Sequence, residues 1–210
     1  MEKLELTKKD RAYYSAGSIP ALKNLGAYNY LSIAGKGDPK GQVFRLVLQA
    51  LYSVAYSIKF SCKAQGNDFV VPKLEGMWNF EASKYKGISM ADAPLKVPRS
   101  EWSYQMLIRM PDFVSQKEID MAKLKVMAKK GLDLVKNVGY FQLPARTVVE
   151  VMHLGPFSTE PATLLQLQRF IEEKGLKADG LHHEVYLSNF NTMAPEKLKT
   201  ILREPVKPVC

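Results

Sequence analysis

The chain has 210 residues, 46% of them hydrophobic and 24% charged, with 30 Lys and Arg against 21 Asp and Glu for a net charge of +9. That balance describes a globular chain of one large domain or two small ones and excludes disordered and fibrous classes. Cys62 and Cys210 are too few for a disulfide framework or a CxxC metal or redox motif, and no run reaches the roughly 18 uninterrupted apolar residues of a membrane span. The opening "MEKLELTKKDRAYYSAGSIP" holds no signal-peptide core, so a cytoplasmic chain with two free thiols is expected.

In chain order, "AYNYLSIAG" (27–35) alternates as a strand and closes on the turn "GKGDPKG". A helix is predicted over Gln42 to Phe60, where Val43, Val47, Ala50, Val54 and Ile58 recur at helical spacing. Two short strands are expected across Phe69 to Phe80, the second from Leu74 because Pro72 interrupts the run, and then a long loop over Glu81 to Ser100. "WSYQMLIRM" (102–110) puts Trp102, Tyr104, Met106 and Ile108 on one face of a strand that ends at Pro111. "SQKE" has capping-box form and opens a helix that ends near Gly131. "ARTVVEVMHLG" (145–155) is a strand, and Glu160 to Gly175 a helix with Pro161 near its start and Leu164, Leu167 and Ile171 as its apolar stripe. A strand over Leu181 to Leu187, a helical turn from Pro195 and a last strand at "TILREPV" follow.

Two parts of this pattern repeat one plan. Strand, Gly-Pro turn, helix, strand and strand occur over about residues 28–110 and again over about 145–206, joined by a linking helix over about 115–131. Residues 1–27 read as an N-terminal extension and 28–210 as a single domain. One such unit does not bury both sheet faces, so two side by side form one continuous sheet.

The strand "LHHEVYL" places His182, Glu184 and Tyr186 on one face and His183, Val185 and Leu187 on the other. By itself, Glu184 fits a solvent-facing strand position as well as a binding site. His182 and His183 point apart and cannot both ligate one ion, so no metal site is expected, and His183 and His153 read as structural. The turn "GKGDPKG" matches no phosphate-binding fingerprint, and no nucleophile motif such as GxSxG occurs. The lysines gather only as Lys123, Lys125, Lys129 and Lys130 on one helix, where a solvated face and the helix dipole account for them, so neither a nucleic-acid nor a membrane partner is expected.

The stretches "YLSIAGKGDP", "LYSVAYSIKF", "LEGMW", "EWSYQMLIRMPDFV", "HLGPFSTEPATL", "HHEVYLSN" and "PEKLKTILREPV", in order over about residues 28–206, resemble the GyrI-like small-molecule-binding proteins, whose domain also serves as effector-binding half of multidrug-responsive regulators. That resemblance implies an α+β fold of two pseudo-symmetric βαββ repeats in one largely antiparallel sheet, with helices on one face and a ligand cleft on the other. It implies a cleft with Glu184 at its floor and Trp78, Trp102 and Tyr104 on its walls, in a cytoplasmic, bacterial, detoxifying setting. It departs from the family at Tyr104, usually Trp, and at Glu150, usually Gln, where a second carboxylate would join the cleft. With fewer than 30 residues before the first strand, the regulator arrangement with a helix-turn-helix domain is not expected.

The ligands so implied are planar, hydrophobic and often cationic. A carboxylate in an aromatic cleft attracts such cations, and Trp and Tyr faces add about 0.5–2 kcal/mol per contact without fixing one ligand shape. Met106 and Met152 would add adaptable surface, and His182 and Tyr186 share the face of Glu184. Some stand-alone members of the family open the cyclopropane ring of DNA-alkylating natural products with water; here Glu184 would be the base and Tyr104 or Tyr186 the hydrogen-bond donor. A third reading, an inhibitory protein partner, needs an acidic surface, and this chain is basic. No cofactor is called for.

Overall fold

The computed structural model describes residues 3–89 and 91–209. Its strands are β1 (Ala21–Leu25), β2 (Tyr28–Lys36), β3 (Leu74–Asn79), β4 (Ser103–Arg109), β5 (Gly139–Leu143), β6 (Arg146–Leu154), β7 (Leu176–Ala178), β8 (His182–Tyr186) and β9 (Lys199–Pro208). Its helices are α1 (Leu6–Lys9), α2 (Gln42–Ala64), α3 (Ala93–Lys96), α4 (Gln116–Lys130) and α5 (Glu160–Glu173).

The strands pair antiparallel in the order β1-β6-β9-β8-β3-β4-β2-β5, with β7 beside the end of β9. The two repeats are β2-α2-β3-β4 and β6-α5-β8-β9. Outward from the β3/β8 seam, each runs in the same order, its second strand, its third and then its first. At the seam Gly76 stands opposite Glu184 and Trp78 opposite His182.

The period of the apolar residues decides which face each element covers. Val47, Ala50, Leu51, Val54, Ala55 and Ile58 of α2 pack onto Leu31 and Ile33 of β2 and Met106 and Ile108 of β4, joined by Ile119, Ala122 and Val126 of α4. Leu164, Leu167 and Ile171 of α5 pack onto Val149 and Val151 of β6 and Leu202 of β9. Each fully buried side chain of this kind stabilises by about 1.5–3 kcal/mol relative to exposure. Helix α2 is long and apolar enough to cross a bilayer by length and composition, and its buried stripe is the part that covers the sheet. Helix α4 begins with the expected capping box of Ser115 and Glu118 and ends on Gly131 at φ 60°.

The opposite face of the sheet is covered by the segment before β1. Leu6, Tyr13 and Tyr14 pack there on Leu25, Val148, Val185 and Ile201. The sheet therefore starts earlier than the alternation at residue 27 predicts, with β1 paired to β6. The first of the two strands expected before Leu74 reduces to a single bridge between Leu4 and Phe69, since Pro72 leaves no room for a ladder. Residues 81–89 and 91–101 form turns around α3, and Ala93 and Val97 join the core under α2 while Ala91 joins the one under α5. Cys62 is a buried free thiol; Cys210 lies outside the described residues.

Candidate functional site

The central strands β3 and β8 run in the gap between α2, which covers β2 and β4, and α5, which covers β6. Alternation along β8 directs His182, Glu184 and Tyr186 into this gap. Tyr186 joins the core under α2, whereas Val185 packs against Tyr13 and Tyr14 on the far side. Glu184 thus lies on the helix-bearing face, between the two helix packs, and not on the face opposite the helices as the sequence reading expects. The physical reason is that the opposite face is already occupied by the N-terminal segment.

Trp78, Tyr104, Met106 and Trp102 share this face and this core. The strand position opposite Glu184 is a glycine because the aromatic groups lie against the backbone there. A Cβ on Gly76 would stand 2.9 Å from Trp78 Nε1, 3.0 Å from Tyr186 Oη and 3.3 Å from Met106 Cε. Trp78 Nε1 donates a hydrogen bond to Tyr186 Oη at 2.9 Å, joining the two repeats across the seam. Around this bond Phe44 of α2 stacks on Trp78 at 6.1 Å, Trp102 and Tyr104 meet Trp78 edge-on at 6.2 and 5.7 Å, and Phe157 and Phe190 meet Tyr186 at 6.0 and 5.6 Å. The Tyr104 hydroxyl is buried without a hydrogen-bond partner among the described residues, and burial raises its pKa.

The charged groups of the gap are arranged around His182. Its Nδ1 is 3.0 Å from Glu204 Oε2 and its Nε2 is 3.5 Å from Glu184 Oε1. Burial pushes the imidazole down, but the two carboxylates together outweigh burial and lift its pKa to about 10, so His182 is a cation at neutral pH. Glu184 keeps 13% of its side chain exposed, a partly open carboxylate at the foot of the aromatic wall. Glu160, the first residue of α5, is buried, and burial followed by the charge of Glu184 raises its carboxyl well above the usual range.

Not every residue grouped by the sequence reading comes to this place. Glu150 and Met152 lie on the far face, because β6 turns Val149 and Val151 toward α5 and so turns its even-numbered residues away. There Glu150 accepts a hydrogen bond from Arg203 Nε at 2.7 Å and pairs with Lys23 at 2.5 Å, while Met152 packs beside Val148 and Ile201. His183 also faces that side, 2.8 Å from Glu75 through Nε2 and 2.6 Å from Arg146 through Nδ1; burial lowers its pKa to about 4. His153 is tied to Thr163 and to the Pro156 carbonyl.

Conversely, Glu160, Glu204, Phe157, Phe190 and Phe44 stand in the gap without having been singled out. Phe157 opens the 3-10 turn that leads into α5 and Glu160 is the first residue of α5, so one turn delivers both, and that spacing in "GPFSTEP" is the signal the sequence offers for them. Two shallow surface clefts, one along Ser18–Pro20 and α5 and one along Leu154 and residues 196–199, do not include Glu184 or the aromatic wall around it.

The GyrI-like small molecule binding domain family matches residues 20–207. No curated protein sequence matches. Among solved structures, an uncharacterised conserved protein of Listeria innocua is 34% identical, with a TM-score of 0.85 over 98% of this chain and 100% of that one. A hydrolase of Listeria innocua is likewise 34% identical, with a TM-score of 0.84 over 98% and 100% of the two chains. The C-terminal domain of EcmrR shares the fold at 14% identity and a TM-score of 0.58, over 90% of this chain and 98% of that one. With its two repeats, its seam and this match over nearly its whole length, the chain belongs to the GyrI-like small-molecule-binding domain family.

Proposed function

We propose that the gap over the β3/β8 seam binds planar, hydrophobic, often cationic small molecules, with Glu184 as counter-charge and Trp78, Trp102, Tyr104 and Tyr186 as stacking surfaces. The observation that supports this reading is the meeting, at one point of the seam, of a partly exposed carboxylate with aromatic side chains from both repeats. Away from bulk water, the attraction between such a carboxylate and a delocalised cation is weakly screened, and ring faces add to it. Met106, buried beside Gly76, gives the floor of the gap an adaptable side chain that can shift when a ligand enters, and His182 offsets part of the negative charge.

A second reading is favoured by Glu160 standing beside Glu184 and by the similarity to a Listeria hydrolase. In it, Glu184 takes a proton from water, the water oxygen bonds to a cyclopropane carbon of a stacked alkylating compound, and the broken C–C bond leaves its electron pair on a conjugated oxygen. Tyr104 or Tyr186 donates a hydrogen bond to that oxygen. In either reading the protein protects a bacterial cytoplasm from such compounds, by holding them or by destroying them.

Fluorescence titration with rhodamine 6G, a planar aromatic monocation, tests the first reading. Wild type binds, and Glu184→Gln loses about tenfold or more in affinity, roughly 1.4 kcal/mol; equal affinity of the two proteins overturns the role of Glu184. Mass spectrometry after incubation with a cyclopropane-bearing alkylator separates binding from hydrolysis, since only turnover yields a product heavier by one water.

A further inference from the structure

Glu160 enters the gap from α5, on the side of the seam away from Trp78. The residue is only 7% exposed, and its Oε1 has no hydrogen-bond partner among the described residues. The groups that face it are Glu184, His182 and Tyr186 of β8 and, from the segment that crosses the gap, Arg99. Phe157, one turn earlier, packs on Tyr186 and fixes the start of α5 against β8. A second carboxylate so enclosed, next to Glu184, is costly to ionise, yet a neutral carboxyl there has a hydroxyl to donate to whatever enters.

Resting on the reading of the gap as a cation site, we propose that Glu160 carries a proton in the free protein and gives it up when an aromatic monocation binds, so that ligand charge is exchanged for a proton. The balance is complete: the carboxyl O–H bond breaks, the proton goes to solvent, and the cation takes its place beside the new carboxylate. For a neutral ligand with a carbonyl or ether oxygen the same carboxyl keeps its proton and donates a hydrogen bond. One site thereby accepts both monocations and neutral oxygen-bearing electrophiles. Glu160 thus adds negative charge to the gap only when a cation is present to meet it.

Calorimetric titration of rhodamine 6G at pH 7, in two buffers of different ionisation enthalpy, reads the exchange directly. Wild type is expected to release close to one proton per cation bound, and Glu160→Gln none; affinity in wild type then climbs with pH by up to about tenfold per unit until Glu160 is ionised in the free protein. No proton release from wild type, or equal release from Glu160→Gln, overturns the proposal while leaving Glu184 as the counter-charge. Infrared spectra need no ligand: wild type is expected to show the C=O band of a protonated carboxyl at pH 7 that Glu160→Gln lacks. If the two spectra coincide, the proposal is wrong even where no cation binds. If the band is there and rhodamine 6G does not bind, it is the cation-site reading that fails, and the exchange falls with it.

Discussion

His182 and His183 are neighbours in sequence and opposites in chemistry. His182 stands between Glu184 and Glu204 and is held protonated; His183 accepts from Arg146 through Nδ1 and donates through Nε2 to Glu75, which requires the neutral ring. The folded pKa of His182, about 10, is above its ordinary 6.5, so its contribution to stability is complete below about pH 6.5 and is lost as the pH rises through 10. The folded pKa of His183, about 4, is below 6.5, so its contribution is present above about pH 6.5 and is lost as the pH falls through 4. Chemical denaturation across this range is expected to give stability that declines on both sides, with His182→Gln flattening the alkaline side and His183→Gln the acid side. Alternation alone makes the two rings face apart, and that much is legible in "LHHEVYL". Which ring is charged depends on Glu204 and Arg146, which only the register of β9 and β6 brings near.

At the scale of elements, the seam depends on the absence of a side chain at Gly76. Gly76→Ala pushes a methyl group against Trp78 Nε1 and Tyr186 Oη, and we expect it to cost about 1–3 kcal/mol of stability and to abolish rhodamine 6G binding, as denaturation and titration would show. Residues 91–101 cross the same gap, from the core under α5 to the one under α2, and are held by the bond from Trp102 Nε1 to the Val97 carbonyl at 3.2 Å. Trp102→Phe keeps an aromatic ring and removes that bond; faster amide hydrogen exchange over residues 91–100, with the strands unchanged, is the expected result. The long helices, the capping box and the strands flanked by turn residues are legible because each has the period or cap that its geometry requires. Strands β1, β5 and β7 are not expected from the sequence and exist because the longer strands β6, β2 and β9 offer them an edge.

At the scale of the whole molecule, the two faces of the sheet have different tasks. The helix face carries the gap, and the other is sealed by the N-terminal segment through a buried polar network. Tyr13 Oη donates to Glu75 at 2.5 Å and meets Tyr30 Oη at 2.6 Å, while Arg203 bonds the Tyr13 carbonyl and stacks over its ring at 4.2 Å. This network lies directly behind Glu184, since Glu75 and His183 flank Gly76 and Glu184 along their strands. Tyr13→Phe removes one donor from a buried carboxylate and is expected to cost about 1–3 kcal/mol in denaturant unfolding. The sequence reveals two repeats and one sheet, but not which face bears the gap: β6 is apolar on both sides, so its phase cannot be read, and nothing in "DRAYYSAG" announces a cover. The central claim is that the β3/β8 seam holds the ligand. A crystal structure with rhodamine 6G tests it most directly: we predict the dye between α2 and α5, its rings against Trp78 or Trp102 and its charge toward Glu184. Dye bound elsewhere on the protein, with the seam unchanged from the free state, would contradict the account.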